Sequence, residues 1–243
     1  MRMLTFAKRC AKEILRDPMN LIFGLGFPVV LLLLLSAIQA NIPVPLFELE
    51  SLTPGLAVFG LSFMTLFSAT LVAKDRESAL LQRLYTTPMK ASDFIVGYML
   101  PMLPMAIGQS CVCYLMAFVM GLPMSINIFY GILLGIPISV FYISLGLLCG
   151  SVFNVKAVGG ICGALLTNLS AWFSGVWFDL DLVGGTFRKI ANLLPFVHAV
   201  ELERAIIRGH YSDIWTHIGV VFGYAVITMI GAIILFLWQM RKQ

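Results

Sequence analysis

The feature that most constrains this chain is a long stretch without ionisable side chains. From Phe94 to Val155 there is no Asp, Glu, Lys, Arg or His. Soluble domains carry charge on about 25% of their residues, whereas charged residues make up 12% of this chain and hydrophobic ones 60%. Since about 20 consecutive apolar residues cross a bilayer as a helix, the chain is predicted to be an all-α polytopic membrane protein.

Long uncharged runs predict six transmembrane helices within one domain that covers residues 1–243. The predicted spans are 20–39, 53–73, 94–120, 128–150, 157–178 and 214–238. Most Lys and Arg residues lie on the side of the two termini, and the opposite side has only Arg188, Lys189, Arg204 and Arg208. The positive-inside rule therefore predicts a multi-pass cell-membrane protein, in the plasma or inner membrane, with both termini in the cytoplasm.

Catalytic and metal-binding motifs are missing from the sequence. It contains neither HExxH nor GxSxG, and His198, His210 and His217 do not have a metal-ligand spacing. A phosphate-binding P-loop needs glycine directly before its lysine, and no lysine here follows a glycine. The chain is therefore predicted not to be an enzyme, to bind no metal and to depend on another polypeptide for any ATP hydrolysis.

The first 17 residues predict an amphipathic helix along the inner membrane surface. Apolar side chains recur at helical spacing and basic ones lie between them. The apolar set is Met3, Leu4, Ala7, Cys10, Ala11, Ile14 and Leu15, and the basic set is Lys8, Arg9, Lys12 and Arg16. A simpler interpretation remains open, in which these charges only fix the orientation of the first span.

Residues 74–92, between the second and third spans, predict a short amphipathic helix exposed to the cytoplasm. Alternating charges at Lys74, Asp75, Arg76 and Glu77 precede an apolar stripe, and Thr86-Thr87-Pro88 ends the helix. Connections between packed helices usually have 2 to 8 residues, so a segment this long favours docking to a partner over a solvated turn. The stripe consists of Leu80, Leu81, Leu84 and Tyr85.

Residues 179–213, between the fifth and sixth spans, are too apolar for a solvated loop and too short and charged to span the bilayer. We expect two short helices that dip back into the outer leaflet and join near Pro195. The charged side chains of this segment fit either an ion-paired gate or interfacial anchors that reach the headgroups.

Three sequence patterns together resemble the membrane-spanning permease subunit of type-2 ABC transporters, and in particular of drug and antibiotic exporters. The first runs from Asp75-Arg76-Glu77 through Leu80, Arg83 and Leu84 to Thr87-Pro88. The second is Leu194-Pro195-Phe196 followed by His198, Glu201 and Arg204, and the third is Thr53-Pro54-Gly55 at the start of the second span. The sequence departs from the family pattern at Ser78, Ala79 and Gln82.

The resemblance implies a homodimer or a heterodimer with a similar permease, seated on two copies of an ABC ATPase subunit in a prokaryotic membrane. ATP and Mg would bind to that ATPase, and this chain would bind no cofactor or nucleic acid. The residues implied to couple to the ATPase are Asp75, Arg76, Glu77, Leu80, Leu81, Arg83, Leu84 and Tyr85. Those implied at the outer re-entrant gate are Pro195, His198, Glu201 and Arg204.

The resemblance also implies that the second and fifth spans form the central substrate path. Aromatic and small polar side chains without charge suit a small amphiphilic or hydrophobic cargo such as a drug, antibiotic, peptide or lipid. The candidate lining residues are Phe59, Phe63, Phe67, Asn168 and Trp172. A phenylalanine stripe that faces lipid or another helix is the alternative interpretation.

Two other transport functions remain open at this point. A polysaccharide- or sodium-exporting ABC permease would resemble the same family. An ion-coupled secondary transporter would need ionisable groups inside the membrane, and His217, near the outer end of the last span, is the one candidate in a predicted helix core.

Overall fold

The computed structural model describes residues 2–44, 46–78, 80–86 and 89–242, and every regular element within these ranges is a helix. The α-helices are α1 (Arg2–Leu15), α2 (Pro18–Leu21), α3 (Phe27–Gln39), α4 (Leu49–Glu77), α5 (Leu80–Tyr85), α6 (Ala91–Val119), α7 (Ile126–Val152), α8 (Val155–Val158), α9 (Thr167–Phe173), α10 (Leu180–Val183), α11 (Gly185–Leu193), α12 (Pro195–Arg208) and α13 (Tyr211–Lys242). Two π-helical segments, Ile22–Gly26 and Gly159–Leu166, join α2 to α3 and α8 to α9.

In the described part of the chain, five helices are long and apolar enough to cross a membrane. They are Ile22–Gln39, Leu49–Glu77, Ala91–Val119, Ile126–Val152 and Tyr211–Met240. They correspond to the first, second, third, fourth and sixth predicted spans. Several extend beyond the predicted limits, because hydropathy marks the apolar core of a helix and the charged residues that follow do not break it.

The two ends of the helical bundle can be distinguished by ring contacts among the aromatic residues. Phe94, in the first turn of α6, lies 5.5 Å from Phe6 of α1 and 5.4 Å from Phe236 near the end of α13, measured between ring centroids. Both ends of the chain therefore lie at one end of the bundle, which we call the inner end. The opposite end is called the outer end.

The fifth predicted span, 157–178, differs from one long helix. It consists of α8, the π-helical segment Gly159–Leu166 and α9, and the helix ends at Phe173. Gly175 has a φ of +70°, in the left-handed region that ends helices. These segments lead from the inner end, where the Val155 amide donates to Glu77 Oε1, to the outer end, where the Gly175 carbonyl accepts from Arg204.

Helix α4 lies at the centre of the bundle, with 83% of its apolar stretch buried. It packs closely on α7 because Gly146 has no side chain: a Cβ at this position would lie 2.3 Å from the Thr65 carbonyl oxygen. Two hydroxyl groups of α4 bond to carbonyl groups of α7, from Thr65 to Tyr142 at 2.8 Å and from Ser68 to Ile143 at 3.1 Å. The contact is therefore fixed both by shape and by hydrogen bonds across the helix pair.

The outer segment after α9 folds into α10, α11 and α12. Two of these helices meet at Leu194 and Pro195, where the sequence placed the junction, and Pro195 occupies the first turn of α12. Proline is favoured there because its missing N–H has no partner within the helix. The single turn α10 was not foreseen in the sequence.

Candidate functional site

Asp75, in the last turn of α4, is the centre of an ion-paired cluster at the inner end. Its side chain is 2% exposed. Arg9 of α1 binds both carboxylate oxygens, with 2.6 Å from Nη2 to Oδ1, and the Tyr98 hydroxyl of α6 donates to Oδ2 at 2.8 Å. Arg9 also pairs with Glu13 at 2.6 Å. The cluster therefore joins α1, α4 and α6 at one point.

Helix α1 lies against α6 through its apolar face, whereas the amphipathic pattern predicted a helix along the inner membrane surface. The ring of Phe6 meets Tyr98 edge to face, with 4.8 Å between centroids. Gly97 makes this possible, since a Cβ there would lie 2.6 Å from Phe6 Cδ1. Cys10 is fully buried in the same face, and burial raises the pKa of its thiol to about 12, so Cys10 remains a neutral packing residue.

The two residues after Asp75 bond to the opposite side of the inner end. Arg76 Nη1 donates to the carbonyl groups of Gly150 at 2.8 Å and Phe153 at 3.2 Å, at the end of α7. Glu77 Oε1 accepts the Val155 amide at 2.9 Å, at the start of α8. Both side chains therefore satisfy backbone groups at helix termini that have no partner within their own helices.

These contacts correct the prediction of one exposed helix from Asp75 to Tyr85. Asp75–Glu77 form the end of α4, and α5 is a separate helix of six residues. Asp75 lies inside the chain rather than on an exposed surface, because Arg9 and Tyr98 neutralise and bond its carboxylate.

Within α5, one side of the predicted apolar stripe packs against the chain itself. Leu81 is buried, Leu80 and Leu84 are partly buried, and Arg83 is exposed. The side chain of Tyr85 and the whole of Thr87 and Pro88 lie outside the described residues, so the predicted threonine-proline end belongs to that part. Among the predicted coupling residues whose side chains are described, Glu77 and Arg83 are exposed.

Arg204 of α12 connects three parts of the outer end. Its guanidinium donates to Glu201 Oε1 at 3.0 Å, to the Gly175 carbonyl at 2.9 Å and to the Ser51 carbonyl in the first turn of α4 at 3.2 Å. The structure thus brings together Glu201 and Arg204, which the sequence placed in one segment, and adds an attachment to α4 that the sequence did not reveal.

Two histidines of the outer end, His198 and His217, form a hydrogen-bonded pair. His198 Nε2 lies 2.9 Å from the Asn192 carbonyl, and His198 Nδ1 lies 2.9 Å from His217 Nδ1. A carbonyl only accepts, so Nε2 of His198 donates, its Nδ1 accepts when the ring is neutral, and His217 donates. Both histidines line an outer cavity of about 830 Å³, together with Glu201, Arg204 and the ion pair between Arg188 and Asp181.

Glu203 is a buried acidic residue that the sequence analysis missed. It lies on the inward face of α12, where its Oε2 accepts the Tyr114 hydroxyl at 2.8 Å. Gly131 and Gly135 of α7 leave room for it: a Cβ at either glycine would lie within 3 Å of a carboxylate oxygen. Burial raises the pKa of Glu203 to about 8. The signal was available, since Glu203 falls on the apolar stripe of Phe196, Val200 and Ile207.

The phenylalanines predicted to line a path pack inside the chain instead. Phe59 and Phe67 are buried, and Phe63 is partly buried. Ring contacts join Phe63 to Phe27 at 5.4 Å and Phe59 to Trp177 at 5.5 Å. This corrects the prediction for the stripe, which fills the space between α4, α3 and the turn after α9.

The other two predicted path residues lie on a free face of α9. Asn168 is exposed, with its amide bonded to the Ala164 carbonyl at 2.7 Å, and Trp172 is 53% exposed. One turn apart, they form a polar and aromatic surface on the helix that follows the π-helical segment.

Comparisons with known proteins identify the family of this chain. The chain is 26% identical over 198 residues to "ABC transporter G family member 20" of Dictyostelium discoideum. The match covers 76% of this chain and 26% of that protein, so the chain spans about a quarter of the length of this relative. The family model described as ABC-2 type transporter matches residues 1–207. The chain therefore belongs to the ABC-2 type transporter family and is a membrane permease component of an ABC transporter.

Proposed function

We propose that this chain is the permease subunit of an ATP-driven exporter, and that α4 carries motion from the ATPase to the outer gate. The observation that supports this most directly is the attachment of α4 at both ends. Its 29 residues form a rod of about 43 Å at 1.5 Å per residue. Its outer end bonds to Arg204, and its inner end bonds to Arg9, Tyr98 and the start of α8.

The proposed ATPase contact is the exposed surface around Glu77 and Arg83. Helix α5 follows α4 after two residues, so a force on α5 reaches α4 through a very short connection. Because Arg9 and Tyr98 hold Asp75, the inner ends of α1 and α6 would move with it. Closure of two ATPases on bound ATP and Mg would thus change the inner and outer openings together.

In the proposed topology the segments from Val155 to Phe173 form the fifth of six crossings. An even number agrees with the position of both termini at the inner end, which we assign to the cytoplasm. The outer helices α11 and α12 would lie in the outer leaflet, and the cavity of about 830 Å³ would form the exit.

The proposed cargo path lies between two permease chains. Asn168 and Trp172 supply a polar and aromatic surface that the chain itself leaves uncovered. A small amphiphilic cargo fits such a surface. Export of a polysaccharide or of sodium is the second candidate within the same family, and it is distinguished by which solute stimulates ATP turnover.

The test is co-purification in detergent with the ABC ATPase subunits of the same cell, followed by measurement of ATP turnover. The test variant is Arg83→Glu, and the matched control is Lys189→Glu, an equal charge reversal at an exposed outer residue. We expect the wild type and Lys189→Glu to retain an ATPase and Arg83→Glu to lose it. Equal retention by both variants would refute the contact at α5. Solute uptake by the chain alone under an ion gradient would favour a secondary transporter.

A further inference from the structure

Helix α1 presents three different faces, of which the chain itself covers one. Phe6, Cys10 and Ile14 are buried against the bundle. Beside them lie two exposed leucines, Leu4 at 51% and Leu15 at 69% exposure. The next face around the helix is basic.

The basic face consists of Lys8, Lys12 and Arg16, four residues apart and therefore aligned along the helix. All three are exposed, and they line a groove of about 890 Å³ together with Lys74, at the inner end of α4, and with the acidic residues Glu13 and Asp17. Basic side chains from two helices that are distant in sequence therefore line this groove. Positive charge that served only to orient the first span would not require this arrangement.

Some of the basic side chains at this groove form ion pairs with acidic residues of the chain, and others do not. Arg9 is committed to Asp75 and Glu13, and Lys74 lies 3.9 Å from Asp17. Lys8, Lys12 and Arg16 take part in none of the ion pairs among the described residues. Like charges four residues apart on a helix repel each other, so an anion in the groove would stabilise α1 in its docked position.

We propose that this groove binds the phosphate of an anionic phospholipid, with its acyl chains beside Leu4 and Leu15. The order of the faces around α1 favours a phospholipid over an acidic protein as the ligand. A lipid brings an anionic headgroup and hydrocarbon together, as adjacent basic and apolar faces require. An acidic protein would cover the cations and leave both leucines against water.

The lipid site has a structural consequence for the inner end of the bundle. Lys8 precedes Arg9 by one residue, so an anion bound to Lys8 and Lys12 holds α1 where Arg9 reaches Asp75. The inference uses the proposed function only in placing the inner end at the cytoplasmic membrane surface.

The test titrates the purified full chain in neutral detergent with short-chain phosphatidylglycerol and follows the rise in its thermal unfolding temperature. Short-chain phosphatidylcholine and inorganic phosphate serve as comparison ligands. The test variant is Lys8→Gln/Lys12→Gln, and the control Arg83→Gln/Lys156→Gln removes the same charge from other exposed residues of the inner end.

We expect phosphatidylglycerol to stabilise the wild type and the control at the same concentrations. Each surface cation contributes roughly fivefold to binding of an anionic lipid, so the double variant is expected to bind about 25-fold more weakly. The single variant Lys12→Gln, expected to bind about fivefold more weakly, gives a second measure should the double variant fold poorly.

Three results would overturn the proposal: equal binding by the test and control variants, equal stabilisation by phosphatidylcholine, or equal stabilisation by inorganic phosphate. The first places the lipid elsewhere, the second removes the role of charge, and the third assigns the groove to free phosphate. No ATPase is present in this experiment, so its outcome is independent of whether α5 is the ATPase contact.

Discussion

Replacing Arg9 with Met would test the ion-paired cluster that joins α1, α4 and α6. The variant leaves the Asp75 carboxylate, 2% exposed, with the Tyr98 hydroxyl as its described partner. Breaking a fully buried ion pair costs about 3–5 kcal/mol. Arg9 is 37% exposed, so water screens part of the pair, and we expect a loss of about 2 kcal/mol in the free energy of unfolding.

The assay is thermal unfolding of the purified chain in detergent. For a protein of 150–250 residues, about 1 kcal/mol changes Tm by about 2–4 °C, so Arg9→Met is expected to lower Tm by about 4–8 °C. The matched control is Lys12→Met, on the same helix, which removes an exposed cation that has no ion pair among the described residues. Its Tm is expected to remain within about 2 °C of the wild type.

The double variant Arg9→Met/Asp75→Asn decides whether a buried charge is the cause. Asn keeps the size of Asp75 and an oxygen for the Tyr98 hydroxyl, but removes the unpaired charge. We therefore expect the double variant to be more stable than Arg9→Met alone. The reasoning is refuted if the two losses simply add, or if Arg9→Met unfolds at the same temperature as Lys12→Met.

Two further predictions concern helix packing and pH. Gly146→Ala places a Cβ 2.3 Å from a backbone oxygen of α4 and should lower the free energy of unfolding by about 3 kcal/mol. The control Gly219→Ala adds a Cβ with nothing within 4 Å and should leave the stability unchanged or raise it. Thermal unfolding measures both variants. The pKa of Glu203 is raised from 4.5 to about 8. Between these two pH values Glu203 binds more protons in the folded state than in the unfolded state. Its contribution to the free energy of unfolding is therefore lost as the pH rises from 4.5 to about 8. Glu203→Gln should abolish this decline in the pH dependence of Tm; a parallel decline in wild type and variant would contradict the assignment.

The sequence predicted the apolar helices well because the free energy of transferring a helix from water to lipid depends on its local composition. A run of uncharged residues such as Leu21–Ile38 is sufficient to predict a helix in the bilayer. The fifth predicted span, 157–178, differs most from the structure: closely spaced glycines lie in its first half, and Gly175, at a φ of +70°, ends the helix early. Its division into α and π segments depends on backbone geometry that hydropathy does not describe.

The inner-end site was only partly predictable, because its contacts join distant residues. Asp75 follows Lys74 and precedes Arg76, a pattern typical of a solvated surface. Its actual partner, Arg9, lies 66 residues earlier in the chain, and no periodicity relates the two. The exposed position of Arg83 and the amphipathic nature of α1, in contrast, follow from local spacing and agree with the structure.

The contact between α1 and α6 joins two segments that are synthesised at different times. The apolar face around Phe6 leaves the ribosome before its partner Phe94, which follows roughly ninety residues later. At about 5–20 residues per second, Phe94 is synthesised roughly 4–18 s after Phe6, so the surface that α1 binds is absent during that time. During that interval its exposed aromatic and aliphatic side chains need the membrane surface or a chaperone as a temporary partner. Helix α1 is thus made well before the helix that it contacts.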